Sequence, residues 1–404
     1  MLKKRISLLC VIVLVVFVML GIQNTRCEAS GEALEQRVEN IEKRLESTEN
    51  TVEKTLSESG ILGKLSLGGL IAGVGQYQSV DDAAGFENTG RGAVVFQPEI
   101  GFDLTDVDEV FTKFGFTAGN ALNDATVSPF IFAPWAADLE ADVKDINGRN
   151  RDYLLTAWYK HTFLFSEKNT LGITGGLIDA TDYLDENDYA NDEFTQFMNA
   201  VLANAAHGFA PSYDMGGVIE WEFAQFTLKG VAMSVGENDD GRSYQFYGAN
   251  LGYAIDTTLG EGHYRVNVEW TSKDFNNLAG DTLESKQCVI LSFDQQLGDI
   301  LGAWMRFGWQ KDDAAILVKE LYSGGLDING RLWKREQDNI GIGYAYIGGG
   351  NQGLDNAYVF ETYVRFLLND FFAITADMQY QDNKMKQGDS PSGIIYGARC
   401  VVEF

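Results

Sequence analysis

From position 64 onward, apolar and polar side chains alternate in one stretch after another. In Phe96-Gln97-Pro98-Glu99-Ile100-Gly101-Phe102-Asp103-Leu104 the even positions are apolar, the odd ones mostly polar or Gly. The pattern returns in Tyr264-Arg265-Val266-Asn267-Val268-Glu269-Trp270 and in Leu301 to Trp309, then from Phe372 to Tyr380 and from Ile394 to Phe404. A period of two is that of a β-strand, whose successive side chains point to opposite faces. The chain reads as sixteen strands at 64–78, 93–105, 109–120, 151–165, 169–180, 213–224, 226–237, 243–256, 262–273, 284–297, 300–311, 319–330, 336–348, 355–368, 371–382 and 392–404. Turns such as Ser166-Glu167-Lys168 and Asn369-Asp370 join some pairs, whereas strands 3–4 and 5–6 are about thirty residues apart. Short and long connections that largely alternate are what an up-and-down barrel requires.

Before the strands the period is seven. Leu34, Val38, Ile41, Leu45 and Val52 fall at steps of three and four, Glu and Lys fill the outer positions, and Gly60 ends the run. This predicts a coiled-coil-like amphipathic helix, suited to trimerisation or another self-association, or to contact with the cell wall. Earlier still, Lys3, Lys4 and Arg5 precede an apolar run from Ile6 to Ile22, and Cys27-Glu28-Ala29 offers a small-residue cleavage site. That is the form of a secretory signal. The expected division is a signal peptide at 1–29, a periplasmic helix at 30–62 and a barrel at 63–404.

Alternation alone also suits a soluble sandwich that hides its apolar face between two sheets. Long strands, aromatics near their ends and a terminal Phe404 sharing a strand face with Val402, Ala398 and Tyr396 favour the membrane. The fold class expected is therefore all-β, a transmembrane up-and-down barrel of about sixteen antiparallel strands behind a short coiled-coil helix. Closure follows from the bilayer, where no backbone N–H or C=O can be left unpaired. Composition agrees: 44 Gly, 12% aromatic residues and 5 Pro. The net charge of −27, or −30 without residues 1–29, argues against nucleic acid and anionic headgroups as partners. Of four Cys, Cys10 and Cys27 fall in the signal or at its cut, which leaves Cys288 and Cys400, too few for a disulfide framework. No Cys or His spacing for a metal is present, and no cofactor or metal is expected. The three His, His161, His207 and His263, have no catalytic partner at readable spacing, so no enzyme is expected.

With Phe, Leu, Val and Ile facing lipid, the intervening residues line the interior. Parity turns inward Lys113, Trp158, Lys160, Glu220, Glu222, Arg265, Glu269, Trp304, Arg306, Glu361, Arg365, Asp377, Gln379 and Arg399. A wall of one sign selects ions by its field. A wall that mixes signs, amides and aromatics suits an uncharged polyol: charged groups hydrogen-bond hydroxyls, and an aromatic face stacks on the C–H face of a sugar ring. The competing reading is that these charges pair across the wall and select nothing. The acid-rich stretch DATDYLDENDYANDEFTQFMN at 179–199 follows the fifth strand. Phe194, Phe197, Met198 and Val201 predict a helix over 191–202, capped by Asn191 or Asp192, that folds inward and sets Asp179, Asp182, Asp185 and Asp188 at the edge of the pore mouth. Acids spaced by three do not match a calcium loop, which alternates by two.

Several segments resemble the carbohydrate-selective porins of the OprB type. They are Leu155 to Thr162, Gly175-Gly176-Leu177-Ile178-Asp179, Tyr189 to Glu193 with Gln196 to Asn199, Ser323 to Leu326, Asp338 to Tyr344, Glu361 to Arg365 and Asp377 to Tyr380. The resemblance covers roughly residues 150–404. It implies a sixteen-stranded outer-membrane barrel of a diderm bacterium that passes small solutes, sugars first among them, by facilitated diffusion, with membrane lipid as its other partner and the long loops outside. The alternative is a general, cation-leaning diffusion porin whose leading helix trimerises it or tethers it to the cell wall.

Overall fold

The computed structural model describes residues 62–150 and 153–404. The leader and the heptad segment lie outside them, save that Leu62–Lys64 forms a 3-10 turn. Sixteen strands follow. The first eight are β1 (Leu65–Asp81), β2 (Thr89–Asp103), β3 (Asp108–Phe114, continued at Phe116–Ala118), β4 (Leu154–Ser166), β5 (Asn169–Ile178), β6 (Asp214–Phe223), β7 (Phe226–Val235) and β8 (Tyr244–Thr257). The rest are β9 (Gly260–Thr271), β10 (Gln287–Leu297), β11 (Leu301–Gln310), β12 (Val318–Asn329), β13 (Asn339–Gly349), β14 (Leu354–Leu367), β15 (Phe372–Met385) and β16 (Ser392–Glu403). Each pairs antiparallel with its sequence neighbours. β1 also pairs with β16, from Leu70 against Glu403 to Asp81 against Ser392, and the sheet closes on itself.

The seam closes through the chain's last residue. Phe404 N–H donates to Gly69 O at 3.0 Å, and Gly69 N–H donates to Phe404 O at 3.1 Å. Gly69 has φ of 137°, and a Cβ there would lie 2.2 Å from Gln97 O, so no side chain fits at this crossing. In β3 the ladder breaks at Gly115, whose N–H bonds Tyr153 O, and Leu155 fills the space that a Cβ would take.

Alternation sorts the two faces. Ile219, Leu251, Met305 and Tyr396 are exposed on the outer surface, while their neighbours Val218, Asn250, Arg306 and Ile395 are buried within. Aromatic contacts gather near both rims of the barrel. Phe226–Tyr253 and Tyr264–Phe293 lie near the short-turn end, and Tyr247–Trp270, Tyr322–Tyr346 and Tyr346–Tyr358 near the long-loop end. Such girdles mark the two bilayer interfaces. Cys288 is buried on the inner face and Cys400 exposed on the outer, and both are free thiols.

Candidate pore and its constriction

Two long connections turn into the barrel. The first, 119–153, joins β3 to β4 and carries the helical turn α1 (Glu140–Lys144). The second, 179–213, joins β5 to β6 and carries α2 (Thr181–Leu184) and α3 (Ala200–Ala203). Polar side chains of the wall hold both by their backbones. Gln76 and Gln379 donate to Pro134 O at 3.0 and 2.9 Å, Gln381 to Phe132 O at 3.0 Å, and Gln78 to Val127 O at 2.9 Å. On the second loop, Glu361 accepts from Met198 N–H at 2.6 Å and Asn199 N–H at 2.9 Å. Arg399 donates to Glu193 O at 2.6 Å and Gln196 O at 3.0 Å. Glu269 accepts from Phe209 N–H at 2.9 Å. The loops also bond each other: Ala136 N–H donates to Met198 O at 2.8 Å and Ala200 N–H to Ala133 O at 3.0 Å. Trp135 stands edge-on to Phe194, and Phe197 does so to both Trp304 and Tyr363.

The wall from β8 round to β1 is thus papered over. Trp304, Arg306, Glu361, Gln379 and Arg399 reach the interior yet touch almost no solvent, because the loops cover them. Asp377 is buried and accepts from Gln379 at 3.0 Å, and Arg365 stands 3.8 Å from Glu403. Arg306 Nε lies 3.1 Å from Asp185 Oδ1 without hydrogen-bond alignment, so charge attraction holds that pair, while Nη1 donates to Leu202 O at 3.0 Å. Arg265 bridges Asp294 and Asp188, and His263 Nδ1 sits 3.0 Å from Asp188 and 2.9 Å from Asp294.

On the wall from β2 to β6, Phe111, Lys113, Trp158, Lys160 and Glu220 stay half-exposed. Here Phe111 and Trp158 stack with centroids 5.2 Å apart and planes 26° from parallel. One step along the inner face, toward the short-turn end, Lys160 reaches over Gly172 to Glu220 at 2.7 Å. One step the other way, Lys113 lies within electrostatic reach of Glu99, Asp138, Asp179 and Asp182. Glu222, lower on β6, is exposed and accepts from Thr170 at 3.3 Å. Facing this wall the second loop presents Asp182 and Glu186, the latter 2.5 Å from Lys229. Asp179 accepts from Thr181 N–H at 2.9 Å; burial raises its pKa, and the charge of Asp182 raises it further. Asp182 meets water yet is ringed by protein, which raises its pKa, while Lys113 and Lys229 pull it back.

The four Asp at 179, 182, 185 and 188 therefore stand inside the lumen, strung from the long-loop end toward the short-turn end. The helix expected over 191–202 does not form as one piece. Asp192 Oδ1 takes the N–H groups of Phe194 and Thr195, Glu361 takes those of Met198 and Asn199, and Asn199 caps only the turn Ala200–Ala203. Its apolar side chains are nonetheless buried against the wall, as their spacing predicts. Phe111 shares the parity of Lys113 and was readable by that rule. Trp135 and Pro134 had no sequence signal, since residues 119–153 carry no period.

A closed barrel with inward-folded loops and one half-exposed, charged wall is the architecture of a porin. The family model described as "Carbohydrate-selective porin, OprB family" matches residues 136–404, and the chain belongs to that family of outer-membrane barrels. It is 29% identical over 309 residues to an "Uncharacterized protein" of Aquifex aeolicus (strain VF5), spanning 76% of this chain and 87% of the relative. The high-pH structure of Pseudomonas putida OprB superposes with a TM-score of 0.65 at 13% identity, over 84% of this chain and 94% of that one. The low-pH structure gives 0.54 at 13% identity, over 88% and 96%. At such identity the likeness speaks for the fold alone.

Proposed function

We propose that this porin passes small uncharged saccharides by passive diffusion along the β2–β6 wall. The observation that carries the reading is the Phe111–Trp158 stack between Lys113 on one side and the Lys160–Glu220 pair on the other. A sugar ring laid on that stack puts its C–H face on the aromatics and its hydroxyls against ammonium donors and carboxylate acceptors. Lys160 stands beside Glu220 and Lys229 beside Glu186, so a hydroxyl on this wall meets donors and acceptors side by side. Weak binding of this kind lets a solute enter and also leave.

The test is current block by sugar in planar bilayers. Trp158→Ala is expected to weaken glucose block about five- to tenfold, as the loss of one stacking face of about 1 kcal/mol requires. Equal block in both proteins would remove the stack from the account.

A further inference from the structure

At the long-loop end a second concavity of about 360 Å³, lined by neither Phe111 nor Trp158, opens among four connections. Phe209 ends the second lumen loop, Tyr244 begins β8, and Phe275 lies between β9 and β10; together they make an apolar floor. Tyr244 and Phe275 meet edge to face at 4.9 Å, and Phe209 meets Phe246 of the inner wall at 6.1 Å, so the floor continues into the lumen. The rim is polar. Asp145, Glu237 and Asp239 reach it from two loops, and no side-chain hydrogen bond or ion pair occupies their carboxylates among the described residues. Lys286 Nζ stands 4.6 Å over the Phe275 ring and likewise has no acceptor there. Gly148 carries no Cβ where one would lie 2.2 Å from Glu237 Oε2, which keeps the concavity open. The loops are tied to each other: Asn147 donates to Ser212 O at 2.8 Å and Asn238 to Asp274 O at 2.9 Å.

An aromatic floor, three spare acceptors and one spare ammonium within a small-molecule-sized volume match a sugar, whose ring has apolar faces and whose edge both donates and accepts. A lone ion would leave the floor unused. We infer that this concavity is a vestibular saccharide-binding site that captures solute before it reaches the lumen stack. The inference rests on the saccharide reading above. Capture there raises the rate at which sugar enters from the long-loop side and does not assist entry from the other side.

Single channels, their orientation read from current–voltage asymmetry, test this with glucose added to one side at a time. Lys286→Met keeps the stem over Phe275 and removes the donor; Asp239→Asn removes one charge. Closed-barrel folding of each is checked by heat-modifiable electrophoretic mobility. Loss of one hydrogen bond predicts that entry from the long-loop side slows about two- to tenfold in Lys286→Met, with entry from the opposite side unchanged. Entry rates equal to the parent's from the long-loop side in both variants would overturn the site, as would outer-side block that responds to calcium and not to glucose. Saturation-transfer NMR with glucose separates the two claims. Transfer that Lys286→Met abolishes, in a parent channel that glucose never blocks, keeps the site and sinks only the transport reading; no transfer in the parent sinks the site itself.

Discussion

The second loop is held inside the barrel by many buried contacts, and Asp185 makes two of them. Its Oδ1 lies 3.1 Å from Arg306 Nε, with Arg306 wholly buried, and its Oδ2 accepts from Ala205 N–H at 2.6 Å. At that separation the attraction is on the order of 5 kcal/mol for an effective dielectric of about 20. Breaking a buried pair by removing one partner typically costs about 3–5 kcal/mol, because the remaining charge is left desolvated. Asp185→Ala therefore shifts the docked–undocked balance of the loop by about a hundred- to several-thousandfold. The sixteen-strand ladder does not depend on this contact, so the barrel stays closed while its lumen widens. Single-channel conductance is the assay. The variant is expected to conduct more than the parent and to fluctuate between levels. The double variant Asp185→Leu with Arg306→Met removes the orphan charge and is expected to return toward parental conductance. A single variant with parental conductance and parental noise would refute the view that this pair holds the constriction.

Two further outcomes follow from the same loop. His207 is buried with Nε2 donating to Val289 O at 3.2 Å and Nδ1 facing no acceptor, and burial lowers its pKa from 6.5 to about 4. The docked loop thus holds the neutral ring: docking is undiminished above pH 6.5, weakens as the undocked form gains a proton, and has lost about 3 kcal/mol by pH 4. Channel noise that grows over that window in the parent and not in His207→Gln is the expected record; an identical pH profile in both would count against it. Glu361→Leu strands the N–H groups of Met198 and Asn199, at about 1–3 kcal/mol each, and is expected to raise conductance without lowering the temperature at which the barrel unfolds.

What the sequence made legible was whatever has a short period. Every strand from β1 to β16 overlaps a stretch of alternation, because a lipid face and an inner face impose a period of two on each of them. Parity likewise sets Trp304, Arg306 and Glu361 on the inner face. It could not tell that they meet peptide in place of water, since the covering loops are held by backbone carbonyls and amides that any residue supplies. Asn199 shows the same limit locally. The apolar spacing around it is helical, but Glu361, more than 160 residues away, takes the N–H groups that a continuous helix would need. The first loop lacks a period of any kind, and Trp135 is placed by tertiary partners: Glu193 O and Phe194 of the second loop and the buried cluster of Val74 and Val95 on the wall.

The central claim is that the closed barrel leaves one passage, lined by an aromatic stack and by acceptor and donor groups, suited to small sugars. Swelling of liposomes carrying the unmodified protein in isotonic arabinose, glucose, sucrose and raffinose tests it most directly. The structure predicts fast swelling with the monosaccharides, a steep fall with ring number, and faster passage of glucose than of gluconate. No swelling in any sugar, or glucose and gluconate passing at one rate, would contradict it.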